Sequence, residues 1–141
     1  MCLLTPKRTR RIAEEDIHVW KIVKLTEDKK HWDGPFFDAN LPFDEVSEVE
    51  PPEEEDIKTI SDGRLKCERG FFHSTINYQD AKYEFSLMKL GRTGDGRVYR
   101  LTLAVIPKGS VYYIGKRFLD QDEDTAIASN KLIVYEPKDC Y

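Results

Sequence analysis

Long apolar runs are missing from this chain of 141 residues, whose uninterrupted hydrophobic stretches reach only a few residues, far short of the ~20 needed to span a bilayer as a helix. Cysteine is scarce as well. Cys2, Cys67 and Cys140 are odd in number and widely spaced, which excludes a disulfide framework and fits a reducing compartment. The chain starts "MCLL" and continues "KRTRRIAEED", so the basic-then-apolar order of a secretory leader is lacking and cytoplasmic residence is the expectation. Excess positive charge is absent too. A formal charge of −4 and a pI near 5.4 argue against a general nucleic-acid binder, which draws its affinity from a basic surface. No segment repeats at a fixed period, which removes solenoids and propellers.

What is present is charge, at 34% of residues, and a hydrophobic fraction of 40%, so the core has to be concentrated in a few segments of one domain spanning 1–141. The charge is segregated. Lys7, Arg8, Arg10 and Arg11 crowd a basic segment 1–13, whereas "DEVSEVEPPEEED", an acidic loop at 44–56, holds eight carboxylates and no base. The two could pair with each other or with a partner.

Periodicity places the elements. Ile17 to Leu25 alternates and is rich in β-branched residues, which predicts a strand. Residues 27–63 mix Gly, Pro, Asn and charge without a sustained period. They read as a long irregular excursion with Trp32, Phe36, Phe37, Leu41 and Phe43 as anchors onto the core. "RLKCERGFFHS" has short strand character. From Tyr78 to Leu90 a helix is expected, capped by Asn77 with Asp80 three residues on, and carrying Tyr78, Ala81, Phe85 and Met88 at +3, +4, +3. "RVYRLTLAVIP", "VYYIG" and "KLIVYE" read as strands, with "PKGS" as a turn between the first two. "KRFLDQDEDTAIAS" reads as a loop with a helical turn. The fold class expected is α+β, with a small, mostly antiparallel sheet of four or five strands and one main helix.

The residue trio His73-Ser74-Thr75 is the first candidate for chemistry. A serine or threonine nucleophile needs a base in hydrogen-bond reach, but neighbours on a strand point to opposite faces. His73 and Ser74 are therefore badly placed to activate each other, and the trio reads as a strand-to-helix junction. Cys67, His73, His18, His31 and Cys140 lack the clustered spacing of metal ligands, so no metal is expected. Gly91, Gly94 and Gly96 follow a helix and precede a strand, the reverse of a nucleotide fold's phosphate loop, and read as a cap and a turn. The acidic run lacks the cadence of a calcium loop and reads as a solvated face. For "KRTRR", a phosphate or acidic-partner contact and a plain exposed terminus stand level.

Taken in order, "MCLL", "AEEDIHVWKIV", "GFFHS", "IPKGSVYYIG" and "ASNKLIV" resemble a group of small uncharacterised proteins of bacteriophages and gut bacteria. The resemblance covers about half the chain, leaves the acidic region unmatched and brings no activity. This sequence departs from the pattern by carrying both Phe71 and Phe72 where one phenylalanine is expected, and an added strand residue reverses the side of the next one unless a bulge absorbs it. A second similarity is to ADP-ribosyltransferase-like folds, which implies an NAD pocket between two small sheets. On that resemblance His18 or Lys21, then Ser74 and Thr75, then Glu136 would stand for the first-strand cation, the second-strand hydroxyls and the late glutamate. The leading expectation is a non-enzymatic phage-encoded or phage-derived protein that binds another protein, in the infected cell or as part of the particle. Its contact residues are expected among Arg8, Arg10, Arg11, Trp32, Phe36, Phe37 and Tyr113. The alternative is an enzyme that binds NAD or another nucleotide, with His73, Ser74 and Thr75 as its catalytic set.

Overall fold

The structure is a computed structural model and describes residues 3–5, 10–34, 37–50, 58–59, 65–67, 71–90, 98–116 and 125–137. Along the chain run β1 (Leu3–Thr5), β2 (Arg11–Ile12), β3 (Ile17–Leu25), β4 (His31–Gly34), β5 (Phe37–Pro42), β6 (Val46–Glu48), β7 (Lys58–Thr59) and β8 (Leu65–Cys67). Then follow β9 (Phe72–Thr75), α1 (Tyr78–Leu90), β10 (Tyr99–Ile106), β11 (Val111–Gly115), β12 (Ala126–Ser129) and β13 (Lys131–Val134). The molecule is mostly β. An antiparallel sheet of ten strands, in the order β2-β11-β12-β9-β3-β10-β13-β6 with β4 and β5 attached beside β3, accompanies a small sheet β1-β8-β7. This overturns the α+β reading with four or five strands. The additional strands come from the basic N-terminal segment, which supplies β1 and β2, from the stretch read as irregular, which supplies β4, β5, β6 and β7, from "RLKCERGFFHS", which yields both β8 and β9, and from β12, which stands where a helical turn was expected.

Elements with a clear period form as the sequence predicts. β3 and β10 pair over their length from Ile17↔Ile106 to Lys24↔Tyr99, which puts Val19, Lys21 and Val23 on one face and Trp20 and Ile22 on the other. The first face is the interior. There Val19, Val23, Trp32, Phe43, Phe72, Ala104, Ile106, Ile127, Leu132 and Val134 form the main core. On the outer face, α1 lays Ala81 and Phe85 over Ile22 and Leu101. Its N-terminus is set by Asn77, whose side-chain oxygen accepts from the Gln79 amide at 2.8 Å and from that of Asp80 at 3.4 Å, satisfying donors that the first turn leaves open. The "PKGS" turn also forms, with the Ser110 amide donating to the Pro107 carbonyl and Gly109 at φ +90°, where a side chain would be strained.

The excursion has a period too short to read but real tertiary partners. Trp32 is fully buried, packs edge-on to Phe72 at 6.1 Å and donates its indole N–H to the Pro42 carbonyl at 3.2 Å. Asp33, next to it, accepts from the Ala39 and Asn40 amides at 2.7 and 2.6 Å, which shapes the β4–β5 connection around Asn40 at φ 51°. Within the acidic loop, Asp44, Glu45, Glu48 and Glu50 are exposed, but 46–48 are a strand rather than loop. Residues 51–56 of that loop, and 91–97 with the three glycines, lie outside the described residues.

The main sheet consists of two halves. β2-β11-β12-β9 and β3-β10-β13-β6 meet at a single ladder pair, Trp20↔Thr75. Beyond it β3 leaves β9 and takes β4 as its neighbour, pairing Lys24↔Asp33 and Leu25↔Trp32. The chain crosses between the halves again at Asn130, the one residue separating β12 from β13. Asn130 exchanges bonds with Val111, donating its amide to the carbonyl and accepting the Val111 amide on its side-chain oxygen at 2.8 Å, while its own carbonyl accepts from Val49.

Candidate functional site

The seam between β3 and β9 gathers the candidates from the chemical trio. β9 pairs with β12 in unbroken register, Phe72↔Ser129, His73↔Ala128, Ser74↔Ile127 and Thr75↔Ala126. Phe72 and Ser74 therefore face the interior with Ile127, whereas His73 and Thr75 share the outer face with the alanines. Both phenylalanines are accommodated without a bulge in that pairing. Phe72 enters the main core, and Phe71 packs with Tyr113, Ala126 and Ala128 in a second cluster, its ring edge-on to Tyr113 at 5.6 Å. His73 and Ser74 point apart, as strand geometry requires.

Around the seam, buried polar side chains replace the missing ladder. Lys21 is 3% exposed and donates its ammonium to the His73 carbonyl at 2.6 Å, with the same group 5.9 Å from the centre of the Trp32 ring. On the outer face, the Thr75 hydroxyl donates to the Glu84 carboxylate of α1 at 3.3 Å, and both residues are buried. Trp20, opposite Thr75 in the ladder, stacks tilted on Tyr78 with centroids 4.6 Å apart. These contacts tie the half-sheets and the helix together across a place where backbone pairing fails, because buried polar groups cost free energy unless they are bonded. Chemically, the outer face brings an imidazole, a hydroxyl and a carboxylate onto one side of β9, but the hydroxyl's proton is already committed to the carboxylate and both groups are sealed under the helix. Glu84 escaped the sequence reading. Its position three residues after Ala81 and one before Phe85, within the apolar stripe, was the available signal.

The remaining candidates scatter. His18 is exposed on the outer face of β3, on the opposite side from Lys21. Glu136 is exposed beyond β13, two strands from β3 on the side away from β9, so it does not join Ser74 and Thr75. Tyr113, expected at a contact surface, is 1% exposed and accepts a hydrogen bond from Arg10 Nε at 3.1 Å. Trp32 likewise sits in the core rather than at a contact surface, serving as the excursion's anchor. Arg11 is exposed on β2. Phe37 opens β5 opposite Gly34, while its side chain, and Arg8 and Phe36 altogether, lie outside the described residues. Among the described residues no group of three or more His, Cys, Asp or Glu side chains is placed to hold a metal ion, and no helix is long and apolar enough to cross a membrane. No protein-family model, no curated protein and no solved structure matches this chain.

Proposed function

We propose that this is a non-enzymatic binding protein, phage-encoded or phage-derived, that recognises another protein in the cytoplasm of the infected cell or in the particle. The observation that supports it is the outward face of α1, where Tyr83 is 67% exposed and Leu87, one turn on, 44% exposed. Large apolar side chains held on a rigid helix lose little entropy on contact, and tyrosine is enriched at binding hot spots. Of the polar groups that could have done chemistry, the Thr75 hydroxyl and the Glu84 carboxylate are meanwhile bonded to each other and buried. The test is tagged-protein capture from infected cells at low and moderate salt, with wild type and Tyr83→Ser/Leu87→Ser compared. A partner held by wild type and lost by the double variant, with an unchanged unfolding midpoint, is the expected result. Capture of no partner by the wild type at either salt overturns the reading.

A second reading has one specific observation in its favour. Lys21 on β3 and Ser74 on β9 both face the interior beside the seam between two half-sheets, the order that the ADP-ribosyltransferase resemblance asks for. Glu136 does not complete that set. Thermal unfolding with NAD and with cyclic nucleotides discriminates, since a ligand at a hundred times its Kd adds about 2.7 kcal/mol. A clear rise in midpoint favours this reading over the first.

A further inference from the structure

The strand that ends the sheet, β6, combines three features found together nowhere else among the described residues. The first is a free edge. β6 pairs only with β13 there, and Val49 turns its amide inward to the Asn130 carbonyl. Hydrogen bonding alternates along an antiparallel strand. Ser47 therefore also bonds toward β13, and the backbone groups of Val46 and Glu48 point away from the sheet. The second feature is an apolar strip in an acidic rim. Val46 is 53% exposed and Tyr135, just after β13, 41% exposed. Around them Asp44, Glu45, Glu48, Glu50 and Glu136 are exposed, and the Glu136 amide, donating to the Asp44 carboxylate at 3.4 Å, holds two ends of the rim together. Lys131 faces it, its ammonium 3.8 Å from Glu48. The third is the Ser47 hydroxyl, which is buried at this edge and has no hydrogen-bond partner among the described residues, a costly condition that an added strand can relieve.

We infer that β6 is a docking edge for an extended basic segment of a partner protein, in which apolar residues and lysine or arginine take turns at every second position, so that both lie on the face shared by Val46 and Glu48. The partner adds a strand beyond β6. Its backbone bonds to Val46 and Glu48, its apolar side chains lie on Val46 and Tyr135, and its cations meet the carboxylate rim. Main-chain pairing gives such a contact affinity and the alternating side chains give it selectivity, while the charge governs the rate of encounter. Edge strands otherwise invite indiscriminate pairing. A rim of one sign narrows the choice to the opposite sign. The inference rests on the protein-binding reading and names the partner's chemistry.

The test uses a short fluorescein-labelled peptide in which valine and lysine take turns at every second position with threonine between them, followed by anisotropy against the full chain, with a peptide carrying glutamate in place of lysine as control. The wild type is expected to bind the first and not the second, more weakly as salt rises. Val46→Pro, which removes an outward amide and leaves the β13 pairing intact, and Glu45→Lys/Glu48→Lys, which reverses the rim, are each expected to weaken binding about tenfold or more. No binding by the wild type, or equal binding by both variants, overturns the inference. Capture from cells separates the two levels. A partner held equally by wild type and Val46→Pro sinks the edge while the protein-binding reading stands, and absence of any partner sinks that reading while the peptide result still decides the edge. A dimer that sediments as monomer in Val46→Pro assigns the edge to a second copy and also overturns the inference.

Discussion

A single ammonium group, that of Lys21, stands in for a stretch of ladder between the two half-sheets. Its aliphatic stem lies among core residues and its head bonds the His73 carbonyl, so two contributions can be separated by substitution. Lys21→Ala removes both stem and bond and is expected to cost about 3 kcal/mol, from lost packing and an abandoned carbonyl. Lys21→Met keeps the stem and relieves the burial of charge, and is expected to recover more than half of that loss. Urea unfolding of the two variants measures the difference. If Lys21→Met is as damaging as Lys21→Ala, the stem contributes nothing and the bond everything. The residue also shows how far a site can be read in advance. Lys21, Ser74 and Thr75 stand out by type and order alone, but Glu84 enters only through the packing of α1 onto β9, which no local pattern specifies.

Among the elements, the β3–β4 hairpin has the clearest dependence on pH. Asp28 accepts from the Thr26 hydroxyl at 2.6 Å, from the Lys30 amide at 2.9 Å and from His31 Nδ1 at 3.4 Å. The Thr26 bond foremost, then the Lys30 amide, holds its carboxyl down from an ordinary 3.8 to about 2. A carboxyl lowered on folding stabilises the folded form above its unfolded value and loses that contribution as pH falls through the folded one. The turn, with Lys29 at φ 59°, is therefore expected to loosen between about pH 4 and pH 2. Amide chemical shifts of Lys30 and His31 should report it, and Asp28→Asn should abolish the transition. Persistence of the same transition in that variant would place its origin elsewhere. Elements of this kind explain the uneven legibility of the chain. β3 and α1 were readable to their ends because an uninterrupted period of two, or of three and four, spans each. β4, β5 and β6 were not, since Asp33, Asn40 and Pro42 look like loop chemistry until their partners are known. β12 hid for the opposite reason: all four of its residues are buried, so Ala126 to Ser129 shows no alternation.

For the whole molecule, the decisive feature is that one core serves both half-sheets. Val19 and Val23 from one half meet Phe72 and Ile127 from the other in a continuous cluster around Trp32, although the ladder joining the halves has shrunk to one pair. Shared burial makes the halves cooperative even where hydrogen bonding does not. Tryptophan fluorescence, which senses Trp20 and Trp32, and far-ultraviolet circular dichroism, which senses all strands, are thus expected to give coincident unfolding midpoints. Two separated transitions would show the halves to be independent. The expectation of few strands failed at this scale because a sheet of this width is assembled from long-range pairings, and an isolated stretch of sequence records only its own half of each.

Asn130 carries a consequence for how this chain can vary. It is the whole spacer between two strands that belong to different halves, and its side chain and both backbone groups are already engaged with Val111 and Val49. An insertion or deletion there would shift β13 by one position and turn Leu132 and Val134 outward. Whatever else changes in descendants of this gene, the count of amino acids from Ser129 to Lys131 is closed to drift.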